Sequence, residues 1–168
     1  MSTHFTSSRF SDSLVCFGAS AGFSGYAPIA PGTVGTAVAV PLAWAMAHLP
    51  LWASAAIIVV ATALACVVNH AAGKVYRVTD AHEIVLDEVV GFLITMWAVP
   101  WSDFSVAVGF FFFRLFDVWK PWPARYFDRE VHSGVGVTLD DVAAGIYAAL
   151  VTHGAVWLAA RYGWPLFL

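Results

Sequence analysis

Charged side chains are scarce in this sequence of 168 residues. Asp, Glu, Lys and Arg make up 11% of the chain and hydrophobic residues 60%, whereas charged residues are about 25% of an average soluble domain. The stretch from 13 to 73 has no charged residue, and 16 of the 19 charged residues lie between Lys74 and Asp141. This composition excludes a disordered chain, and there is no basic face for nucleic acid. The sequence predicts one membrane-embedded domain, 1–168, with a polar N-terminal tail at 1–13.

Cysteine is also rare, and the N-terminal region lacks a continuous apolar run. Cys16 and Cys66 show neither Cys-x-x-Cys nor Cys/His spacing, so neither a zinc site nor a disulfide framework is indicated. Glycines and prolines interrupt the apolar stretch that follows the tail, and Arg9 is the only base before it. We therefore expect no cleaved signal peptide.

Apolar stretches close to the length of a membrane span recur along the chain. A spanning helix needs about 20 mostly apolar residues. Candidates lie at 33–49, 51–72, 84–99, 104–119 and 141–160. Turn signals separate neighbours around Pro50 and Pro100. We therefore expect an all-α fold, a multi-pass membrane bundle of four to five helices.

Basic residues are unevenly divided between the two ends of this expected bundle. If the N-terminus is cytoplasmic, so are the polar loops 73–83 and 120–140. Seven basic residues then lie on or near the cytoplasmic side, and Arg161 alone lies on the other. This asymmetry follows the positive-inside rule. Four polar clusters fall on the same side, so we expect the active site at the cytoplasmic end.

The first cluster is a Gly/Pro-rich loop, 25–36, that leads into the first predicted span. Its glycines expose backbone amides, and a helix N-terminus favours an anion. Thr33 and Thr36 add hydroxyl groups. The loop is interpreted either as an ordinary N-capped loop or as a phosphate-binding segment.

The second cluster is acidic and precedes the third predicted span. Asp80, Glu83 and Asp87 share one helical face if the helix begins early, and Glu88 lies about 100° further round. Acids in a first turn complement the helix dipole, which is one explanation. Ionisable groups that run directly into an apolar span usually have a partner or a function, so we favour metal binding or catalysis.

The third and fourth clusters lie on either side of the loop 120–140. Arg114, Asp117 and Lys120 follow at intervals of three residues, which predicts a single stripe. This stripe is either a self-paired salt bridge or a metal-binding aspartate between two phosphate-binding cations. Asp140 and Asp141 are adjacent acids, and Thr138 with Asp141 resembles a capping box, which explains one carboxylate but not the pair.

Four runs of residues together resemble the phosphatidylglycerophosphatase A family of membrane enzymes: 30–36 (APGTVGT), 84–91 (IVLDEVVG), 113–123 (FRLFDVWKPWP) and 140–145 (DDVAAG). The resemblance extends from about 15 to 160. It implies Mg²⁺-dependent removal of the terminal phosphate of a lipid substrate, phosphatidylglycerophosphate, giving phosphatidylglycerol and phosphate. It also implies the bacterial inner membrane as the location.

The candidate site residues fall into three overlapping groups. Carboxylates suited to Mg²⁺ are Asp80, Asp87, Glu88, Asp117, Asp140 and Asp141. Candidates for binding the substrate phosphate are Thr33, Gly35, Thr36, Arg114 and Lys120. The expected catalytic residues are Asp87, Asp117 and Asp141.

The sequence leaves the nucleophile open. Neither an Asp-x-Asp-x-Thr motif nor a cysteine phosphatase loop is present. We favour a metal-activated water with Asp87 or Asp141 as the base, and a covalent aspartate is the alternative.

A different function class is also compatible with carboxylates beside apolar spans. A small cation- or proton-coupled transporter would use Asp87, Glu88 and Asp117 as a relay, which requires acids spread through the depth of the span. An oligomer is conceivable, but no convincing Gly-x-x-x-Gly interface indicates one.

Overall fold

The computed structural model describes residues 4–164, with side chains from residue 11 onward. Within these residues the fold is all-α, as expected, with seven α-helices, one 3₁₀ helix and no strand. The ends of the predicted domain, 1–3 and 165–168, lie outside the described residues. The α-helices are α1 (His4–Ala19), α2 (Pro31–Ala47), α3 (Leu51–Tyr76), α4 (Leu86–Thr95), α5 (Asp103–Trp119), α6 (Ala124–Glu130) and α7 (Gly134–Arg161), and the 3₁₀ helix is Ser24–Tyr26.

Three of the five predicted helices match the structure closely. The stretches 33–49, 51–72 and 104–119 correspond to α2, α3 and α5. Pro31 occupies the first turn of α2, where the missing N–H has no helical partner in any case. Ser102 caps α5 by accepting a hydrogen bond from the Ser105 amide. These boundaries were predictable because proline and the end of each apolar run coincide with them.

Two short helices were not predicted. The polar N-terminal segment, expected as a tail, is helical from His4 as part of α1. The predicted loop 120–140 contains α6 and the first turns of α7. Both α1 and α6 carry many polar residues, so the search for apolar spans could not detect them.

The helix predicted at 84–99 is shorter in the structure. It begins at Leu86, so Asp80 and Glu83 lie in the preceding loop and do not share a helical face with Asp87. It ends at Thr95, before a turn in which Ala98 has a φ of 60° and which leads into Pro100. With 10 residues, α4 is about 15 Å long, half of a typical hydrocarbon core.

The helix predicted at 141–160 begins seven residues earlier, at Gly134. Ser133 is the residue before its first turn, and the Thr138 hydroxyl donates to the Gly134 carbonyl at 2.8 Å. Thr138 and Asp141 therefore do not form a capping box. Asp140 and Asp141 lie well inside the helix, almost two turns from its start.

By length and composition, two described helices qualify as membrane spans, α3 and α7. Helix α2 is apolar but has only 17 residues. The expected bundle of four to five spanning helices is therefore not confirmed and stays a prediction.

Helix α7 is central to the packing and contacts α3, α4, α5 and α6. Asn69 of α3 donates to Thr138 at 3.3 Å, which places the end of α3 against the start of α7. Thr95 of α4 donates to the Gly145 carbonyl at 3.4 Å, so α4 and α7 run in the same direction. The Phe116 and Tyr147 rings, 5.7 Å apart, place the end of α5 beside the first half of α7.

These directions bring five helix ends together at one end of the bundle. The N-termini of α2, α4 and α7 lie there with the C-termini of α3 and α5. Below them, Phe92 and Phe113 are fully buried in an apolar core with residues of α2, α4, α5 and α7. The core fixes the helices, and the polar clusters lie at their converging ends.

Candidate active site

A cavity of about 250 Å³ lies where the helix ends converge. Its lining combines acids, bases and part of the Gly/Pro-rich segment, drawn from four helices and three loops. The lining residues are Ala30, Pro31, Gly32, Asp80, His82, Ile84, Asp87, Glu88, Arg114, Asp117, Lys120, Val137, Asp140 and Asp141. All six predicted metal-binding carboxylates and both predicted phosphate-binding cations are therefore brought together.

Three carboxylates, Asp87, Glu88 and Asp141, form a compact cluster that we call the acidic triad. Each offers one oxygen within 4.8 Å of the others. Asp87 and Asp141 are only 5% and 4% exposed. Oδ1 of Asp87 and Oε2 of Glu88 are buried without a hydrogen-bond partner among the described residues. Buried carboxylate oxygens that accept no hydrogen bond and lie this close together are suitable ligands for a hard divalent cation.

The triad depends on the crossing of α4 and α7. Asp87 and Glu88 lie in the first turn of α4, where the helix dipole favours negative charge. A Cβ on Gly91 would meet the Asp141 carbonyl at 2.8 Å, and one on Gly145 would collide with the Gly91 backbone. Two glycines thus allow the backbones to touch, and this contact holds Asp141 beside the start of α4.

Arg114 connects the triad to Asp117. Its Nη1 donates to Asp117 Oδ2 at 2.6 Å and lies 3.4 Å from Glu88 Oε1. The predicted stripe on α5 is therefore confirmed for this pair, and the self-paired salt bridge forms. The same guanidinium lines the cavity, so it can also donate to an anion there.

Lys120 makes a second charged connection, this time to α6 and α7. Its Nζ lies 2.6 Å from Asp140 Oδ2 and 2.5 Å from Asp128 Oδ1. The residue ends α5 with a φ of 49°, and so leaves the helical path of Arg114 and Asp117. Burial alone would lower the pKa of Lys120, but the two carboxylates outweigh it and raise the pKa above its ordinary value. Lys120 is therefore a permanent cation at the cavity.

Asp80 reaches the cavity from the loop before α4. Burial raises the pKa of the Asp80 carboxyl, Lys120 opposes this shift, and Asp128 and Asp117 add to it. Among the described residues, no salt bridge or side-chain hydrogen bond holds the Asp80 carboxylate in place. It is an acid of the cavity wall that stands apart from the triad.

The three residues of the predicted Gly/Pro-rich loop that were expected to bind phosphate lie in the first turns of α2 and occupy different places. Thr33 lies on a neighbouring apolar groove, beside Arg114. Gly35 packs against Val85, and the buried Thr36 hydroxyl donates to the Gly32 carbonyl at 2.8 Å. Neither Gly35 nor Thr36 is among the residues that line the cavity. Their role in phosphate binding stays a prediction.

Sequence reasoning missed two residues that shape the cavity. A Cβ on Gly32 would collide with Glu88 Oε1 and come within 2.9 Å of Arg114 Nη1, so a side chain at this position would displace both charged groups. Asp128 shares Lys120 with Asp140 and lies on the unpredicted helix α6. Gly32 lies within the APGTVGT run, which was the available signal, but Asp128 had no distinguishing spacing.

Comparisons with known proteins identify the family of the chain. The family model described as "PgpA: Phosphatidylglycerophosphatase A" matches residues 17–156. Phosphatidylglycerophosphatase A of Escherichia coli K12 is 39% identical over 144 residues, which cover 85% of this chain and 81% of the relative. The Haemophilus influenzae protein of the same name is 44% identical over 75 residues, 44% of this chain and 46% of the relative.

A third relative bears a different name. A Bacteroides thetaiotaomicron protein, provisionally named as a phosphatidylinositol-3-phosphatase, is 36% identical over 146 residues, 80% of this chain and 89% of the relative. No solved structure matches the chain. The family match covers most of the chain, including every acid and base of the cavity. The chain therefore belongs to the phosphatidylglycerophosphatase A family of phosphatase enzymes.

Proposed function

We propose that this protein hydrolyses the terminal phosphomonoester of phosphatidylglycerophosphate, with Mg²⁺ held by the acidic triad, at the cytoplasmic face of a bacterial inner membrane. The observation that carries the proposal is the cavity itself, in which a cluster of buried carboxylates faces two fixed cations. Both features lie at the converging ends of the apolar helices.

Charge balance at the cavity favours a divalent cation. Six carboxylates and two permanent cations line it, a formal excess of four negative charges. A phosphomonoester carries up to two more, so it would be repelled from a cavity with this lining. Each divalent cation bound at the triad would offset two of these four charges and so reduce the repulsion, and carboxylate oxygens are the ligands that Mg²⁺ prefers.

The remaining charged groups are placed to hold the phosphate. Bound Mg²⁺ would neutralise charge on the phosphoryl oxygens and lower the pKa of a coordinated water. Arg114, oriented by Asp117 and Glu88, donates to a phosphoryl oxygen. Lys120, oriented by Asp128 and Asp140, supplies a second positive charge.

Water is the proposed nucleophile. Its oxygen bonds to phosphorus while the bond between phosphorus and the glycerol oxygen breaks, giving phosphatidylglycerol and inorganic phosphate. Asp87, whose Oδ1 has no hydrogen-bond partner among the described residues, accepts one proton from this water and returns it to the glycerol oxygen as that bond breaks. Asp141, which lies in the same triad, is the alternative base.

A membrane location is supported by where the apolar side chains point. Helix α3 has a mean hydropathy of 2.5 over an 18-residue window, yet only 11% of that window is buried. A protein in water would expose a long apolar surface at this helix. Helices α2, α3, α4, α5 and α7 present alternating ends to the end of the bundle that holds the cavity, as a chain that passes repeatedly through a bilayer would.

The sidedness follows from the basic residues. Lys74 and Arg77 end α3 at the cavity end, and α6 carries two more arginines beside the start of α7. Arg161 lies at the far end of α7. The positive-inside rule then assigns the cavity to the cytoplasmic side.

The transporter alternative requires carboxylates through the depth of the spans. The described acids lie instead at the cavity end, apart from Asp12 on α1 and Asp103 at the start of α5. No arrangement among the described residues supplies a relay across the bundle. The phosphatase is the function that this geometry supports best.

The decisive experiment measures phosphate release by the purified protein in detergent micelles. Phosphatidylglycerophosphate is supplied with Mg²⁺ or with EDTA. We expect Mg²⁺-dependent release by the wild type, none by Asp87→Asn, and unchanged release by Arg161→Ala, a control at the opposite end of α7. A wild type that releases no phosphate with Mg²⁺ would overturn the proposal, and equal release in EDTA would overturn its Mg²⁺ dependence.

A further inference from the structure

An apolar groove of about 760 Å³ runs along the outside of the bundle between α2 and α5. Every third or fourth residue of α5, from Asp103 to Val118, lines it, and α2 contributes Thr33 and Val40. The lining forms one continuous stripe on α5, about 22 Å long at 1.5 Å per residue. Between Asp103 and Arg114 the stripe is built of Val, Ala and Phe side chains, and Leu115 and Val118 lie beyond Arg114.

The groove meets the acidic cavity at a single side chain. Arg114 lines both spaces, and Thr33 of the groove directly follows Gly32 of the cavity wall. Arg114 is held at this junction by Asp117 at 2.6 Å. A ligand that extends past Arg114 would thus place an anionic group on one side and an apolar group on the other.

We propose that this groove binds an acyl chain of the phospholipid whose terminal phosphate enters the cavity. This inference rests on the proposed function, because the phosphate subsite determines which end of the groove the headgroup occupies. The charge pattern fits a lipid, because the cation of Arg114 lies where the groove meets the cavity and apolar side chains line the groove from there to Asp103 at its far end. The length fits as well, since the part of the stripe from Arg114 to Asp103 is about 16 Å long at 1.5 Å per residue, and one leaflet of hydrocarbon is about 15 Å thick.

A second apolar surface shows what distinguishes this groove from ordinary lipid-facing surface. The hollow on α3 formed by Ala56, Ile57, Val60, Ala61 and Leu64 has no polar or charged residue in its lining. It lies on the outer side of α3, away from the cavity lining. Of these two apolar surfaces, only the α2–α5 groove continues into the acidic cavity.

The proposal is tested by blocking the groove and comparing two substrates. Ala107 is exposed on its floor, so Ala107→Trp would fill it without burying a polar group. Ala56→Trp, on the exposed α3 hollow, is the matched control. Phosphate release is measured in Mg²⁺ with dioleoyl phosphatidylglycerophosphate and with the water-soluble dibutyryl form.

We expect Ala107→Trp to lower kcat/KM about tenfold for the dioleoyl substrate and less than twofold for the dibutyryl one. Ala56→Trp should change neither. Equal effects of Ala107→Trp on both substrates, or no effect on either, would overturn the acyl-chain assignment. A wild type inactive on both substrates is a separate result, which overturns the proposed function.

A measurement on the unaltered protein covers the case in which Ala107→Trp fails to fold. A phosphatidylglycerophosphate with a photoreactive diazirine on one acyl chain is cross-linked to the wild type in Mg²⁺, and the labelled peptides are identified by mass spectrometry. Labelling concentrated on α5 and α2, and reduced by unlabelled dioleoyl substrate, supports the groove. Labelling distributed equally over α3, and insensitive to competitor, overturns it.

Discussion

Replacing Asp141 with asparagine should stabilise the metal-free protein and remove its response to Mg²⁺. Carboxylate oxygens of the acidic triad lie within 4.8 Å of one another. Two like charges at that separation repel by about 3.5 kcal/mol at an effective dielectric constant of about 20. Asparagine keeps the size of aspartate and removes one charge, so it relieves two of the three repulsions.

Protonation of the wild-type triad already relieves part of this repulsion, so the net gain is smaller. We expect about 1–2 kcal/mol, which raises Tm by about 2–8 °C for a chain of this size. In the wild type, Mg²⁺ at about a hundred times its Kd should add about 2.7 kcal/mol, or roughly 5–11 °C. Asp141→Asn should lose most of that second increase because one of three ligands is gone.

The assay is thermal unfolding in detergent, followed by fluorescence of the eight tryptophans, in Mg²⁺ and in EDTA. Asp12→Asn is the control, because Asp12 is exposed on α1 and should affect neither Tm. An Asp141→Asn protein with the same Mg²⁺ response as the wild type would refute the triad as the metal site. If Asp141→Asn had a lower Tm than the wild type in EDTA, Asp141 would stabilise the metal-free fold instead of destabilising it.

Three further predictions test the surrounding structure. Asp117→Asn should abolish phosphate release while the protein still inserts into membranes; wild-type activity would remove Asp117 from the site. Lys120→Met should lower Tm by about 5–10 °C, because it leaves the buried Asp140 carboxylate unpaired at a cost of roughly 2–3 kcal/mol. Adding Asp140→Asn should restore most of the lost Tm in the same thermal-unfolding assay. Gly145→Ala should lower the free energy of unfolding by about 1–3 kcal/mol, because its Cβ would collide with α4. Gly154→Ala, whose Cβ would meet no atom within 4 Å, should raise it by up to about 1 kcal/mol. If denaturation showed changes of the same sign for both variants, the close crossing of α4 and α7 would be contradicted.

The composition of the candidate site was predictable because its chemistry is local in sequence. Asp87 and Glu88 stand out as acids that run into an apolar segment, and the spacing of Arg114 and Asp117 predicts the ion pair that the structure contains. Lys120 follows the same interval but turns away, because its backbone leaves the helical region after Trp119. Spacing predicts a shared face only while the helix continues.

Helix ends were harder to predict where packing outweighs local pattern. The start of α7 at Gly134 could not be read from the sequence, since Asp140 and Asp141 look like the polar end of a loop. Inside the helix they are held by Lys120 and the converging first turns of α2 and α4, which are distant in the chain. The α2–α5 groove was missed for the same reason, because its walls come from separate segments.

The contact between Gly91 and Gly145 has a consequence for which acids the site can use. Since the two backbones already touch, α4 and α7 have no closer position to adopt when a side chain is too short. A longer acid would carry its carboxylate out of the triad and into the cavity, where Arg114 and Lys120 lie. Aspartate and glutamate carry the same charge and attract the same ions. At positions 87 and 141 they are nevertheless not interchangeable, because the distance between the helices determines the length of side chain that the site accepts.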